Sequence, residues 1–290
     1  MTVLEVIQRS AEYLAKRGVD SPRLQAELLL AHVLRIPRLE LYLRFERVLS
    51  NAELQALRDL VKRRGARIPL QHLLGSVSFC GLALAVNPSV LIPRPETELL
   101  AEQAWRFLAR LTAETGAAPA ALDFGTGSGC LAITLAVNCP GVRVTALDLS
   151  LEALAVARLN ASSQGVSDQL DFLHGDGFAA LPEGRQFNLI VTNPPYIPRA
   201  EIARLQPEVR DHDPRLALDG GEDGLDFFRR LAAEAPRFLR PDGRLLAEFG
   251  DGQAERVAGL FAGGCWKLDR VEPDLTGRPR FLLASKDAKT

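Results

Sequence analysis

The stretch of sequence that indicates the fold most clearly is Leu122-Asp123-Phe124-Gly125-Thr126-Gly127-Ser128-Gly129-Cys130. An apolar segment precedes it and a helix-like segment follows it, so it predicts a strand, a glycine loop and a helix. Glycines let the backbone approach a ligand closely, and a helix N-terminus favours an anionic group. The Gly-x-Gly-x-Gly spacing is tighter than the dinucleotide fingerprint, and no Gly-Lys-Ser or Gly-Lys-Thr indicates a P-loop. The loop therefore predicts a nucleotide-type site of another kind.

Strand and helix patterns alternate on from this loop, between residues 119 and 285. Strands are predicted over 120–124, 143–148, 170–174, 187–192, 244–248, 267–273 and 281–284. Helices are predicted over 130–138, 151–162, 225–238 and 253–262. This alternation predicts an α/β fold with a seven-stranded, mostly parallel sheet covered on both faces, ending in an antiparallel hairpin around Gly277. Ligands of such sheets bind beyond the C-terminal strand ends. We therefore expect one rim to carry the glycine loop, Asp148, Asp176-Gly177 and 193–196.

Asp148 ends the second predicted strand and lies 19 residues after Gly129. At about this distance an acidic residue meets the ribose hydroxyls of a bound nucleotide in related folds. Alternatively, Asp148 and Ser150 mark the capped start of the helix at Leu151. Both interpretations can hold together, because Ser150 is the better cap.

The tetrapeptide Asn193-Pro194-Pro195-Tyr196 follows the apolar run 187–191 directly. The prolines fix their own φ angles and remove N–H donors, which predicts a stiff, extended loop at the end of a buried strand. The Asn193 side-chain oxygen and the Pro194 carbonyl could each accept one N–H of a planar amino group, with Tyr196 packing on its flat face. A plain strand-ending turn is the alternative.

Composition narrows the function classes. The chain has 290 residues, a net charge of −1, 47% hydrophobic residues and 24% charged residues. No basic footprint dominates, which argues against direct binding of duplex DNA, although 62–64 and Arg67 form a local basic cluster. The four cysteines show no metal-ligand spacing, so we expect no metal and a reducing compartment. Charges appear early, and no apolar run approaches the ~18 residues of a membrane span. We therefore expect a cytoplasmic protein without membrane contact.

The N-terminal quarter of the sequence has a different pattern. Residues 1–75 show helical periodicity without a strand signal, which predicts a small all-helical bundle. Ser21-Pro22 and Ser50-Asn51 predict capped helix starts, and a short helix is expected at 38–43. Alternating apolar residues beyond Gly75 then predict a β-hairpin linker over 76–95, followed by the sheet domain over 96–290.

The glycine loop, Asp148 and the Asn-Pro-Pro-Tyr loop together resemble a class I S-adenosylmethionine-dependent methyltransferase with a Rossmann-like sheet, acting on a planar nitrogen. Enzymes with this tetrapeptide methylate either DNA adenine or protein glutamine. The flanking sequence resembles the release-factor glutamine methyltransferases (the PrmC/HemK family) over nearly the whole chain. The segments that carry this resemblance are 26–32, 69–75, Ile92-Pro93-Arg94-Pro95-Glu96-Thr97-Glu98, 208–209, 213–218, 221–225, 248–250, Gln253, 274–275 and 277–278.

This resemblance implies methyl transfer from S-adenosyl-L-methionine, with S-adenosyl-L-homocysteine as product, to the glutamine N5 of the Gly-Gly-Gln motif in class 1 release factors. It also implies that the N-terminal helical domain helps to grip the factor, and we expect a monomer. The expected catalytic residues are Asn193, Pro194 and Tyr196. The expected cofactor-binding residues are Gly125, Thr126, Gly127, Ser128, Gly129, Asp148, Asp176, Gly177 and Asn193. The expected substrate-binding residues are Asn193, Pro194, Pro195, Tyr196, Arg94 and Glu96.

Three alternatives remain. A ribosomal-protein glutamine methyltransferase shares the tetrapeptide, but the strap over 93–98 favours the release-factor branch. A DNA adenine methyltransferase would need a basic groove, and a non-catalytic cofactor-binding module would not need the tetrapeptide. One departure from the family also matters: Gly177 and only then Phe178 follow Asp176, where the family usually has an aromatic residue that lies on adenine. The residue that stacks on adenine is thus unassigned.

Overall fold

A computed structural model of the chain describes residues 1–287. It divides into two compact units. The first consists of residues 1–76 together with 206–212, and the second consists of residues 77–205 and the chain from Asp213 onward. Within the described residues, no helix combines the length and the apolarity needed to cross a membrane.

The first unit is helical, as the sequence predicts. Its helices are α1 (Val3–Ala15), α2 (Pro22–Leu34), α3 (Asn51–Gly65) and α4 (Leu70–Leu74), with a 3-10 helix at Arg38–Leu43. Ser50 caps α3 by accepting from the backbone N–H of Glu53. The predicted cap at Ser21 is wrong: this residue has a φ of 48° and its side chain makes no capping hydrogen bond. Buried side chains of α1 and α2, among them Ile7, Leu14 and Leu29, form one apolar core.

The segment 206–212 contributes the short helix α8 (Pro207–Arg210) to this first unit. Glu208 of α8 accepts hydrogen bonds from Arg64 at 2.6 Å and from Arg67 at 2.6 and 2.7 Å. Burial opposes its ionisation, but the hydrogen bonds from Arg67 and Arg64 outweigh it and lower the pKa of Glu208 to about 2. A charged cluster therefore holds this segment in the helical unit.

The second unit begins with a hairpin and continues into the predicted sheet. The hairpin consists of β1 (Ser76–Phe79) and β2 (Leu82–Ala85), and the long helix α5 (Pro95–Thr115) follows. The seven sheet strands are β3 (Ala120–Phe124), β4 (Arg143–Asp148), β5 (Leu170–His174), β6 (Phe187–Thr192), β7 (Leu239–Glu248), β8 (Trp266–Pro273) and β9 (Pro279–Lys286). The other α-helices of this unit are α6 (Cys130–Asn138), α7 (Leu151–Ser163), α9 (Asp226–Glu234) and α10 (Ala254–Leu260), and short 3-10 helices lie between some of these elements.

The strands lie in the order β5-β4-β3-β6-β7-β9-β8. The first five are parallel, and β9 runs antiparallel to both of its neighbours. This confirms the predicted α/β fold with a mostly parallel sheet. The chain builds outward from β3 to β5 and then returns to place β6 on the other side of β3. The C-terminal ends of β3 and β6 therefore flank the topological switch point, where ligands of such folds bind.

Both faces of the sheet are buried. Leu189 and Val191 of β6 face one apolar core, whereas Ile190 between them faces the other, because side chains alternate along a strand. The predicted helix over 225–238 is too long. Pro236 has no N–H to donate to the carbonyl of Ala232, and that carbonyl instead accepts from the Trp266 indole at 2.8 Å. A 3-10 helix at Ala235–Arg237 therefore ends the segment.

Candidate active site

A cavity of about 430 Å³ opens at the C-terminal ends of the parallel strands. Loops that follow four neighbouring strands line it, and each loop contributes residues expected from the sequence. These residues are Gly125, Thr126, Gly127 and Ser128 after β3, Asp148 at the end of β4, Asp176 and Gly177 after β5, and Asn193 and Pro195 after β6. The fold thus brings most of the candidate residues to one place.

The glycine loop after β3 has left-handed backbone geometry. The φ angles of Gly125, Gly127 and Gly129 are 76°, 55° and 81°. A Cβ atom added at Gly125 or Gly127 would have no atom of a non-adjacent residue within 4 Å. At Gly129 a Cβ would lie 2.9 Å from the Ile133 Cδ1 atom and 3.1 Å from the Ala157 Cβ atom. The first two glycines therefore border the open cavity, whereas Gly129 lies against α6 and α7, outside its lining.

Two carboxylates hold the loop from behind. Asp123 is buried, and one of its oxygens accepts from the Thr126 hydroxyl at 2.7 Å and from the Ala132 N–H at 3.0 Å. Burial raises the pKa of Asp123 to about 7. Asp148 accepts from the backbone N–H groups of Gly127 at 2.8 Å and of Ser150 at 2.9 Å. Asp123 therefore braces the loop, and Asp148 ties it to the next strand.

Ser150 is the helix cap at this end of the sheet. Its hydroxyl accepts from the backbone N–H of Ala153 at 3.1 Å, in the first turn of α7. One oxygen of Asp148 accepts from the backbone N–H of Ser150 itself, and the other accepts from Gly127 in the loop. The two residues thus have separate tasks, as the sequence analysis allows.

The third loop lacks an aromatic side chain at its tip. Phe178 is 2% exposed and packs between Phe124 and Phe238, with ring centroids 4.8 and 5.2 Å away. It is part of the core and cannot face the cavity. Beside it, the guanidinium of Arg230 from α9 contacts Asp176 and fills the space next to Gly177.

The Asn-Pro-Pro-Tyr loop connects to a buried hydrogen-bond chain. The Asn193 amide nitrogen donates to the Thr97 hydroxyl at 3.1 Å, and that hydroxyl donates to Glu248 at 2.7 Å. The Tyr196 hydroxyl donates to the other oxygen of Glu248 at 3.4 Å. Burial raises the pKa of Glu248 to about 7, although the Thr97 hydrogen bond and Arg280 act against it. Asn193 and Pro195 line the cavity, whereas Pro194 and Tyr196 are not among the lining residues.

Gln253 fixes the backbone of the same loop. Its amide nitrogen donates to the Tyr196 carbonyl at 2.8 Å, and its amide oxygen accepts from the Gly250 N–H at 2.8 Å. A side chain that makes both contacts locks the loop against the end of β7. The path of the backbone through Tyr196 is therefore set before any ligand arrives.

Of the two strap residues expected to bind substrate, only one borders the cavity. Arg94 lines the cavity and pairs with Asp213 at 2.5 Å. Glu96 is exposed in the first turn of α5 and does not border the cavity. Sequence reasoning missed Thr97 and Glu248 as members of the site. A signal was present for Glu248, because it ends a predicted strand on the same rim as Asp148 and Asn193.

A seven-stranded sheet of this order, with a glycine-loop cavity and an Asn-Pro-Pro-Tyr loop at its switch point, defines a class I methyltransferase. The family described as the PrmC N-terminal domain matches residues 5–75, and the methyltransferase small domain matches residues 102–206. The chain belongs to the release factor glutamine methyltransferase family, as its similarity to curated relatives shows.

These relatives align over most of their length. The release factor glutamine methyltransferase of Geobacter sulfurreducens is 46% identical over 261 residues, covering 90% of this chain and 88% of that protein. The protein of the same name from Deinococcus radiodurans is 44% identical over 287 residues, covering 99% of both. Among solved structures, a methyltransferase from Pyrococcus furiosus has a TM-score of 0.53 at 18% identity, covering 71% of this chain and 90% of that chain. This last likeness shows the fold alone.

Proposed function

We propose that this chain transfers the methyl group of S-adenosyl-L-methionine to the N5 nitrogen of the glutamine in the Gly-Gly-Gln motif of class 1 translation release factors. The observation that carries the proposal is the position of Asn193, which lines the same cavity as Gly127 and Asp148. An amide that can orient an acceptor nitrogen thus lies in the same cavity as a nucleotide-type loop. The names of the relatives support the choice of substrate.

The residues of the cavity fit S-adenosyl-L-methionine. The cavity volume of about 430 Å³ lies in the range of small-molecule sites. Each oxygen of Asp148 accepts one backbone N–H, and a carboxylate has about four acceptor positions, so capacity remains for the ribose hydroxyls. Gly125 and Gly127 leave room for the methionine portion, with Thr126 and Ser128 beside them. Gly129 would contribute by letting the loop pack on α6, and Asp176 with Gly177 would border the base.

Asn193 and Pro194 would present two acceptors to the glutamine amide. The Asn193 side-chain oxygen and the Pro194 carbonyl each take one N–H, which orients the nitrogen toward the methyl group. Both acceptors also favour the positive charge that builds on nitrogen during transfer. Tyr196, held by Glu248 and Gln253, and Pro195 would flank the amide plane, and Arg94 would close the cavity from the strap.

The bound cofactor supplies an electrophilic methyl group on a sulfonium and leaves as S-adenosyl-L-homocysteine. The glutamine nitrogen forms the new bond to carbon and gives up one proton. An amide nitrogen is a weak nucleophile, because its lone pair is delocalised into the carbonyl. The protein therefore contributes orientation and fixed acceptors, and no strong general base is needed, since the methylated nitrogen loses its proton readily.

The helical domain over residues 1–75 would recognise the release factor, with the hairpin over 76–95 as linker and the methyltransferase domain over 96–290. We propose a monomeric, cytoplasmic enzyme that uses no metal and does not contact DNA. Glu96, exposed on the first turn of α5, would touch the factor rather than the cofactor. The net charge of −1 supports a protein partner over duplex DNA.

The test supplies labelled S-adenosylmethionine and the purified chain with three acceptors in parallel: a class 1 release factor, ribosomal protein and duplex DNA. We expect label only in the release factor, and mass spectrometry should place it on the glutamine of Gly-Gly-Gln. A release factor with glutamine replaced by glutamate in that motif is the matched control. Label in DNA or on another side chain would contradict the proposal.

A further inference from the structure

The side-chain amide of Asn193 has a defined direction in the structure. Its nitrogen donates to the Thr97 hydroxyl, and within residues 1–287 no group donates to its oxygen. Thr97 is 1% exposed and Glu248 is 1% exposed, so both partners of the chain are withdrawn from water. The direction of this amide decides whether an acceptor or a donor is offered to a substrate.

The orientation of the Asn193 amide follows from the charge of Glu248. A carboxylate can only accept hydrogen bonds, so the Thr97 proton must point to Glu248, and the Thr97 oxygen is left to accept from Asn193. A protonated Glu248 can donate to Thr97 instead. The Thr97 proton is then free to point at Asn193, and the amide is stabilised with its oxygen toward Thr97 and its NH2 group toward the cavity.

We propose that Thr97 and Glu248 are positioning residues, which act through a hydrogen-bond chain to present the oxygen of Asn193 to the acceptor amide. The inference rests on the proposed function for its substrate. The Asn193 oxygen and the Pro194 carbonyl can both accept from the NH2 group of the substrate glutamine. If the Asn193 amide were reversed, its own NH2 group would face that of the glutamine and repel it. Thr97 borders the cavity, but its hydroxyl is engaged by Asn193 and Glu248, and Glu248 lies outside the lining, so both residues act through Asn193.

The surroundings of Glu248 allow it to titrate near neutrality. Tyr196 and Thr97 donate to it, Arg280 attracts it and Glu96 repels it. Burial is the largest influence and raises the pKa of Glu248 to about 7. Because the ionised form is the competent one, turnover should rise with pH through about 7 and fall below it.

The experiment compares Glu248→Gln, Thr97→Val and Thr97→Ser with the wild type. We expect Glu248→Gln to lose the acid limb of the kcat profile, because Gln cannot ionise. Thr97→Val should lower kcat by about 10²-fold, as for the loss of a transition-state acceptor, while Thr97→Ser keeps the hydroxyl and restores turnover. Affinity for S-adenosyl-L-homocysteine, measured by calorimetry, should change far less than kcat in all three. An unchanged acid limb in Glu248→Gln, or equal kcat in the two Thr97 variants, would overturn the inference.

A second readout does not depend on turnover. The chain has six asparagines, so selective 15N labelling gives a small set of side-chain amide signals, and Asn193→Ala assigns the relevant pair. We expect this pair to shift with pH through about 7 in the wild type and not in Glu248→Gln. If the chemical shifts of the Asn193 signals changed neither with pH nor on Glu248→Gln substitution, the inference would be overturned. Absence of glutamine methylation by the wild type would refute the proposed function alone.

A different observation concerns the space beside Gly177. A Cβ built on this glycine would lie 2.6 Å from the guanidinium carbon of Arg230. The guanidinium donates to the Asp176 carboxylate at 2.5 Å, to the Asp176 carbonyl at 2.8 Å and to Glu234 at 3.2 Å. These contacts fix a planar cation at the wall of the cavity, where Gly177 leaves room for it.

We infer that Arg230 supplies the flat surface on which the adenine of the proposed cofactor lies. Guanidinium groups stack on planar rings and attract their π electrons. Phe178 cannot do this, because it is buried between two other rings. Gly177 and Arg230 are then complementary, since a larger residue at 177 would displace the guanidinium.

Calorimetry with S-adenosyl-L-homocysteine and with 5′-methylthioadenosine tests this inference. Arg230→Ala should lower the affinity for both ligands by about tenfold. Arg230→Lys should lower it by nearly as much, because lysine keeps the positive charge but lacks the planar guanidinium. Arg229→Ala is the matched control, since Arg229 pairs with Asp223 and Asp226 away from the cavity. Equal affinities of Arg230→Ala and Arg229→Ala would overturn the inference. Failure of the wild type to bind either ligand would refute the proposed cofactor.

Discussion

The backbone N–H of Gly127 donates to the carboxylate of Asp148 at 2.8 Å. This bond joins the loop after β3 to the end of β4, 21 residues further along the chain. A carboxylate at this position therefore has two tasks under the proposed function: it shapes the glycine loop, and it offers its remaining acceptor positions to the ribose.

Replacement of Asp148 should thus weaken cofactor binding more than a single lost contact would. Asp148→Ala removes one or two charge-assisted hydrogen bonds to the ligand, each worth ~1.5–3 kcal/mol, and also releases Gly127. Calorimetric titration with S-adenosyl-L-homocysteine measures the loss. Asp171→Ala, an exposed acid on β5 outside the cavity, is the control and should bind normally. If Asp148→Ala bound S-adenosyl-L-homocysteine with wild-type affinity, Asp148 would not bind the ribose.

A side chain at Gly127 should block the cavity. Gly127→Val places atoms into the open space beside the loop, at a φ of 55° that L-residues adopt at a cost of about 1–2 kcal/mol. Gly165→Val is a matched control, because Gly165 has a φ of 70°, an equally open surrounding and no part in the cavity. Both variants should lose similar stability in urea unfolding, and only Gly127→Val should lose the ligand. Equal ligand binding by the two variants would contradict the placement of the cofactor.

Asn193→Ala should reduce turnover while leaving cofactor affinity intact. The loss of an acceptor that acts in the transition state lowers kcat by about 10²–10³-fold. Single-turnover methylation of a release factor gives the rate, and calorimetry gives the affinity. Asn138→Ala, at the end of α6 and away from the cavity, serves as control. Near-normal turnover of Asn193→Ala would move the orienting role to the Pro194 carbonyl.

The sequence predicted the sheet well because its strands carry strong local signals. The run 187–192 is mostly apolar and is followed closely by two prolines, and every residue of β6 is buried. The predicted helix over 225–238 overlooked a local stop signal. Pro236 has no N–H, and the carbonyl of Ala232 that it leaves free accepts from the Trp266 indole, 34 residues after Ala232. Local patterns identify elements, whereas the groups that satisfy their ends can be distant in sequence.

The candidate site divides in the same way. Gly127, Asp148 and Asn193 follow predicted strands, so their meeting on one rim could be predicted from topology. Thr97 and Glu248 could not be linked, because the bond between them spans 151 residues. The position of Arg230 beside Gly177 is likewise a tertiary contact without a local signal.

Glu208 should make the stability of the helical unit depend on pH. The Arg64 side chain is 4% exposed, and Glu208→Gln would leave this buried charge without its anionic partner. Its remaining contacts are neutral, to Gln25 and to the Ile68 carbonyl. Breaking a buried pair by removing one partner costs on the order of 3 kcal/mol. We expect a loss of this size in the free energy of unfolding at pH 7.

The sign of the pH effect follows from the lowered pKa of Glu208, about 2 in the folded chain against an ordinary value of 4.5. A carboxylate with a lowered pKa stabilises the folded state above the ordinary value, and this contribution is lost as pH falls from 4.5 toward 2. Urea unfolding of the wild type and of Glu208→Gln should therefore differ most above pH 5 and converge in acid. Asp211→Asn, whose pair with Arg210 is exposed, is the control and should leave the stability nearly unchanged. A constant difference between Glu208→Gln and the wild type across this range would show that shape, and not the charge of Glu208, holds the segment in place.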